Sequence, residues 1–480
     1  PLPGAARHRP RPGLMGRGAS GARAPRGVLA ALAASCQIAL LGLPSPAAGQ
    51  EGSPEVENFR LTPSTFCYGD RVRYAFSYRN FPAGGLAAVK DARVVADWRR
   101  AGERPTVMWR LAPRRDELAL HPARDGTFAS GVRYWRQEGA PAGGVDVQLS
   151  LKLTLGDGRE VKGTATGRYN ADSCPPVTPL TTLTGGPTGR IGFETATPTT
   201  RQFLTGAKDA PRAVIWGDLE LPRSGAGRVP AVILIHGSEG VGPREVRWAE
   251  ELTEIGVAAF IVDSTTGRGL KNVTSDLSSG AMIVDVYRAL GLLATHPRID
   301  PSRIALMGGS RGGVVSLFAS LTRFRRMHGP AGVEFAAYLP FYPGCVVDYI
   351  GGDQVSDRPI RIFHGQADDW TPVGPCREYA ERLRRAGKDV RITEYPGAHH
   401  AFDDPSLPPA QFRPEVVNPS RCFFVELPGG RVVNRATGQP LDFDDPCFSD
   451  GATTGYDPVA HRQAIRAVKE FLAATFGLRR

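Results

Sequence analysis

The sequence predicts an α/β fold, a doubly wound and mostly parallel sheet, preceded by an all-β immunoglobulin-like sandwich. Three observations carry this expectation. From about residue 213 onward, short apolar runs alternate with helix-length stretches, the order that builds parallel strands with crossover helices. Between about 53 and 174 the pattern is period-two alternation broken by Gly, Pro and Asp-Gly turns, as in two sheets packed face to face. Ser310 stands at the apex of a strand, tight turn and helix: apolar 303–307, then Gly308-Gly309-Ser310-Arg311-Gly312, then helix-like 314–321.

A chain of 480 residues should hold two or three domains, because single cores seldom grow beyond roughly 250 to 300 residues. Residues 1–49 differ in kind from the rest. They hold six arginines and no acid, an apolar run over 28–43 and then small residues, the layout of a signal peptide cleaved near Gly49 or Gln50. A start at Met15 gives a tidier leader of about 35 residues. The apolar run is short and interrupted, so no stable membrane span is expected after cleavage. Losing the six arginines reduces the formal net charge from +11 to about +5. The remaining basic residues are scattered among acids, without the stripe that a nucleic-acid surface requires, so no nucleic-acid partner is expected.

The sandwich is placed at 50–175, with strands near 71–78, 92–98, 106–111, 131–136 and 145–155. Of the seven cysteines, Cys36 falls in the leader, and six in an exported chain indicate disulfides rather than a metal site. The domain reading pairs Cys67 with Cys174, Cys345 with Cys376 and Cys422 with Cys447. A Thr-, Pro- and Gly-rich linker follows at 176–190.

The catalytic domain is placed at 191–480. Strands are expected near 213–221, 229–235, 257–262, 303–307, 334–341, 359–363 and 390–395, and helices near 244–254, 279–295, 314–324, 376–386 and 458–476. An insertion at 403–456 interrupts the pattern and carries Cys422 and Cys447; a long loop beside an active site suits a lid or a plain surface extension.

The chemistry follows from the order of residues along the chain. Glycines around Ser310 allow strand and helix to close on a strained turn that leaves Oγ exposed. A carboxylate and then a histidine must follow, each after its own strand, and Asp368 follows 359–363 while His400 follows 390–395. That order, Ser, Asp, His, is the one α/β-hydrolases use. Upstream, the buried-type strand 229–235 runs into His236-Gly237-Ser238-Glu239-Gly240, whose Ser238 N–H, with that of Arg311, is placed to form an oxyanion hole. His236 and His364 precede glycines at strand ends and read as structural. His399, His400, Asp403 and Asp404 are adjacent rather than spaced by helical turns, which argues against a metal site.

Taken together, 236–240, 263–269, 296–300, 309–313, 341–345, 368–372 and 395–402 resemble the dienelactone hydrolase family over about 191 to the C-terminus. The resemblance implies Asp368 as the acid, four residues before Pro372, and His400 as the base, two before Phe402; Asp369 and His399 then fall outside the triad. It also implies that Arg268 binds a substrate carboxylate, with an ordering role in its own loop as the alternative. Trp370 is expected to pack the acid loop or line the acyl pocket. The family's founding enzymes carry cysteine where this chain has Ser310, which favours a general serine esterase over a dienelactone-specific enzyme.

The expectation is therefore a secreted or periplasmic serine hydrolase of small-molecule carboxylic esters or lactones, working without metal, nucleotide or flavin. Two rivals are a serine peptidase on the same fold and a binding protein whose sandwich works beside a relic hydrolase domain.

Overall fold

The computed structural model describes residues 52–67, 69–98, 106–107, 111–130, 133–135, 144–170, 177–223, 227–270, 277–441 and 445–478. The leader expected at 1–49 and Cys174 lie outside the described residues. Cys67 is disulfide-bonded.

Among its described residues the N-terminal part is built mainly of strands, with a 3₁₀ turn at Gly85–Ala88 and one short α-helix. Its strands are β1 (Glu55–Thr62), β2 (Thr65–Phe66), β3 (Arg71–Arg79), β4 (Asp91–Trp98), β5 (Thr106–Val107), β6 (Gly126–Ala129), β7 (Arg133–Tyr134), β8 (Gly144–Thr154) and β9 (Glu160–Asn170), with α1 (Arg115–Ala119) between β5 and β6. One sheet runs β1-β3-β6, with β7 also on β3, and the other runs β2-β9-β8-β4-β5. Phe59, Tyr74, Phe76 and Phe128 from the first sheet share one core with Val94, Leu149, Leu151 and Val161 from the second. Strand β9 was not expected from the sequence, for a physical reason. Its inward positions include Gly163, Ala165 and Gly167, which look like turn residues but face a close neighbour: a Cβ on Gly163 would sit 2.5 Å from Val56 and one on Gly167 2.8 Å from Phe66.

The second part continues with β10 (Gly189–Ala196), α2 (Thr200–Thr205), β11 (Arg212–Glu220), β12 (Val229–Ile235), α3 (Pro243–Glu254), β13 (Ala258–Asp263), α4 (Ser279–Leu293), β14 (Ile299–Gly309), α5 (Arg311–Phe318), α6 (Thr322–His328), β15 (Ala337–Phe341), β16 (Val347–Asp348), β17 (Ile360–Gly365), α7 (Val373–Arg385) and β18 (Val390–Tyr395). It closes with β19 (Gln411–Asn418), β20 (Phe424–Leu427), β21 (Arg431–Asn434), β22 (Ser449–Thr454) and α8 (Pro458–Phe476). The eight-stranded sheet has the order β10-β11-β13-β12-β14-β15-β17-β18. From β13 to β18 every pairing is parallel, and β11 lies antiparallel to both β10 and β13.

The near-continuous apolar strands are explained by burial on both faces. In β12, Ala231, Ile233 and Ile235 face one core with α4, α5 and α7, whereas Val232 and Leu234 face the other with α3 and α8. Helix α8 meets that second core through Ala460, Ala464, Val468, Leu472 and Phe476, a stripe with a spacing of four. Asp457 caps it by accepting the N–H groups of Val459 and Ala460. No helix among the described residues is long and apolar enough to cross a membrane.

Three expectations change. The helix expected over 314–324 is two helices, because Ser320 and Thr322 exchange backbone hydrogen bonds with Ser356 and Gln354 at the break. The described part of the expected linker, 177–190, packs against the domain: Leu183 is fully buried, and the Leu180 N–H bonds to the Gly192 carbonyl of the unforeseen strand β10. The strand expected from 334 begins at Ala337.

The insertion folds as two small pairings, β19 with β22 and β20 with β21, the latter extended by β16. A disulfide joins Cys422 to Cys447, Cα atoms 5.0 Å apart. The β-rich part meets the α/β part through ion pairs: Arg71 with Asp218 and Glu220, Asp70 with Arg190 at 2.7 Å, and Arg114 with Glu250 at 2.9 Å.

Candidate active site

Parallel strands deliver their following loops to one edge of the sheet, the place where open α/β sheets bind ligands. Strand β14 ends at Gly309, and Ser310 turns the chain into α5 with φ 56° and ψ −120°, outside the ordinary regions for a side-chain-bearing residue. The glycines around it permit the close approach. A Cβ on Gly312 would stand 2.4 Å from the Ile235 carbonyl oxygen, and one on Gly308 2.4 Å from that of Gly312. The Ser310 N–H donates to the Phe341 carbonyl at 3.0 Å.

The loop after β17 brings in Asp368 and the loop after β18 brings in His400. Ser310 Oγ lies 2.9 Å from His400 Nε2, and His400 Nδ1 lies 2.9 Å from Asp368 Oδ2. Asp368 Oδ1 accepts the N–H groups of Trp370 at 3.0 Å and Thr371 at 2.9 Å. Burial alone would raise the Asp368 carboxyl, but the charge and hydrogen bond of His400, with His364 and the Thr371 N–H, outweigh it and hold it below the usual range. This carboxylate stays ionised and can fix the imidazole with Nδ1 protonated and Nε2 free to accept the serine proton.

Beside Ser310 opens a cavity of about 230 Å³. One wall is the loop after β12 with the start of α3, including Ser238 and Arg244. A second holds Tyr342, Trp370 and His400, and the insertion closes the third through Asp404, Leu407, Arg413 and Thr454. The 236–240 loop lies against the serine turn, since a Cβ on Gly237 would be 3.6 Å from Ser310 Cβ. Arg311 opens α5 directly after Ser310.

The other expected residues are placed as follows. Trp370 lines the cavity with its ring 4.8 Å from that of His400, and its Nε1–H donates to the Val417 carbonyl at 2.9 Å. Arg268, expected either to bind a substrate carboxylate or to order its own loop, is not among the residues lining this cavity. Its guanidinium is buried against Asp285 with two contacts of 2.8 Å and donates to Thr197 Oγ1 and to the carbonyls of Ser264 and Ala196. Its donors are thus engaged inside the fold. His236 is structural, accepting the Ser264 N–H at 3.1 Å, and burial lowers the pKa of His364. Cys345 and Cys376 are joined, Cα atoms 5.1 Å apart, so the start of α7, just beyond the Asp368 loop, is tied to the chain after β15.

Sequence reasoning missed a second polar group behind the cavity. Asp403, fully buried, accepts from Arg244 Nε at 2.9 Å, Trp248 Nε1 at 2.7 Å and Tyr342 OH at 2.5 Å. Burial would raise its pKa, but Arg244 outweighs this and holds it ionised. The signal in the sequence was the pair Asp403-Asp404 three residues after His400, which points to no partner by itself.

The dienelactone hydrolase family model matches residues 218–476. The chain belongs to the dienelactone hydrolase family. It is accordingly a hydrolase of the dienelactone hydrolase and esterase type. Among relatives of this family member is a probable 2-oxo-3-(5-oxofuran-2-ylidene)propanoate lactonase of Bradyrhizobium sp, 24% identical over 37% of this chain and 75% of that one. Another is the probable carboxylic ester hydrolase LipM of Mycobacterium tuberculosis, 28% identical over 25% of this chain and 38% of that one. The chain thus spans well under half the length of the second relative. A solved structure of a dienelactone hydrolase-like promiscuous phosphotriesterase from metagenomic libraries is similar with a TM-score of 0.39 at 17% identity, covering 60% of this chain and 99% of that one.

Proposed function

We propose that this dienelactone hydrolase-family member is an exported serine hydrolase that cleaves small carboxylic esters or lactones through an acyl-enzyme. The observation that carries the reading is the unbroken hydrogen-bonded line from Ser310 Oγ through His400 to Asp368, with 2.9 Å at each step.

In this mechanism His400 Nε2 takes the Ser310 proton as Oγ bonds to the ester carbonyl carbon. The carbonyl oxygen becomes an oxyanion held by the N–H groups of Ser238 and Arg311. Collapse breaks the carbon–oxygen bond to the alcohol, which leaves with the proton from His400. Water then attacks the acyl-serine, again losing its proton to His400, and the acid departs as Ser310 is restored. Asp368 remains ionised throughout and stabilises the imidazolium.

A cavity of about 230 Å³, smaller than the common range for drug-sized ligands, supports compact substrates. Trp370 and Leu407 supply apolar wall and the insertion acts as a lid over the acyl group. Export is supported by the leader-like first 49 residues and by the disulfides Cys345–Cys376 and Cys422–Cys447. The N-terminal sandwich, read as immunoglobulin-like, serves as a positioning module, a role supported by its ion pairs to Asp218, Arg190 and Glu250.

The test is a panel of p-nitrophenyl esters graded by acyl length, run beside lactones and peptide amides, with fluorophosphonate labelling. The proposal expects turnover of short esters and adduct on Ser310. Labelling elsewhere, or amide cleavage exceeding ester cleavage, would overturn it.

A further inference from the structure

Tyr342 occupies an unusual position beside the proposed triad. Its φ is 34°, in the region that bulky residues rarely adopt. Several contacts hold it there: its N–H donates to the Phe363 carbonyl at 2.7 Å, its carbonyl lies 3.1 Å from the Thr371 hydroxyl, and its phenol donates to Asp403. Burial pushes the phenol pKa well above its ordinary value, so the hydroxyl stays a donor. The same Thr371 hydroxyl lies 3.0 Å from Asp368 Oδ2 and 3.1 Å from His400 Nδ1.

The ring faces the base. Its centroid is 4.7 Å from that of His400, edge to face, and 5.5 Å from that of Phe402. The hydroxyl end packs over the serine turn, since a Cβ on Gly309 would meet Tyr342 Oη at 2.7 Å. Asp403, which anchors that hydroxyl, also holds Arg244, which stands at the start of α3 on the wall next to Ser238. One carboxylate therefore ties together the chain after β15, the base loop and the helix following the oxyanion loop.

Resting on the serine-hydrolase reading, we propose that Tyr342 is a positioning residue for His400, with Asp403 locking its ring as the wall against which the imidazole meets Ser310. A ring in strained backbone geometry drifts once its anchor is removed, and an imidazole off line by about an ångström loses up to about 10²-fold in rate.

The experiment compares Tyr342→Phe with Tyr287→Phe. Tyr287 likewise buries a hydroxyl, bonded to the Ala319 carbonyl at 2.6 Å, but it lies in the core on the α4 side of the sheet. Both variants should lose similar thermal stability. Only Tyr342→Phe should lower kcat, by about ten- to a hundredfold, with KM little changed and fluorophosphonate labelling of Ser310 slowed in proportion. Asp403→Asn should show the same kcat signature and gives the answer if Tyr342→Phe does not fold. Equal kcat in the Tyr342 and Tyr287 variants, or a loss confined to KM, would overturn the proposal while leaving the triad reading intact. Absence of Ser310 labelling in the unaltered protein would instead remove the triad reading, and this proposal with it.

Discussion

Asp369 holds Thr453 by two hydrogen bonds, the Thr453 N–H to Oδ1 at 2.7 Å and its hydroxyl to Oδ2 at 2.8 Å. Adjacent carboxylates on one loop thus point opposite ways, Asp368 inward to His400 and Asp369 outward to β22 of the insertion. Asp369→Ala should loosen that strand and reduce ester turnover less than about tenfold, whereas Asp368→Ala should cost several orders of magnitude. Steady-state kinetics on one short ester decide between them, and equal losses would contradict the assignment.

The two neighbouring histidines separate in the same way. His400 Nε2 meets Ser310 Oγ, whereas His399 Nδ1 is buried with no hydrogen-bond partner among the described residues. Ser310→Ala and His400→Ala should each lower kcat by roughly 10⁴-fold or more, because groups acting as a unit fail as a unit. His399→Ala should leave most of the rate, as a stopped assay on the three purified variants will show.

Arg268 and Asp285 form a buried pair with side-chain exposures of 4% and 0%. Removing one partner strands the other charge, so Arg268→Ala should destabilise by about 3 to 5 kcal/mol. KM for esters carrying a carboxylate should stay unchanged relative to neutral esters. A selective rise in KM for the anionic esters would return Arg268 to the substrate site.

The Cys345–Cys376 bridge spans 31 residues that include β17 and the Asp368 loop. The loop-entropy relation gives it roughly 3 to 4 kcal/mol of stabilisation. Replacing both cysteines by serine should lower the melting temperature of the α/β part and reduce kcat. Calorimetry with kinetics checks both, and an unchanged kcat would mean the bridge does not restrain the acid loop.

Burial lowers the pKa of His461 to about 4 from an ordinary 6.5, despite the opposing pull of Asp403. Between those values the unfolded chain binds a proton that the folded one does not. Stability must therefore fall as pH drops from about 6.5 to 4, by up to about 3 kcal/mol from this group. Urea titrations across that window should show the slope, and His461→Gln should flatten it.

The sequence by itself determined the elements whose signal is local. Strands 229–235 and 390–395 and helix 458–476 were legible to the residue: two-faced burial demands the unbroken apolar run of 229–235, the edge strand 390–395 keeps apolar residues at 390, 392 and 395, and Asp457-Pro458 marks a helix start. The order of Ser310, Asp368 and His400, each just beyond a strand, was legible for the same reason. Only the tertiary structure decided what those residues touch. The sheet order β13-β12-β14-β15-β17-β18 departs from chain order and brings Arg244 to Asp403 across 159 positions. It also turned Arg268 inward to Asp285, seated the insertion on Asp369 and Trp370, and gave β9 its glycines where β1 and β2 press close. Periodicity reports which face of an element is apolar. Which polar group meets which depends on long-range packing, which no local pattern encodes.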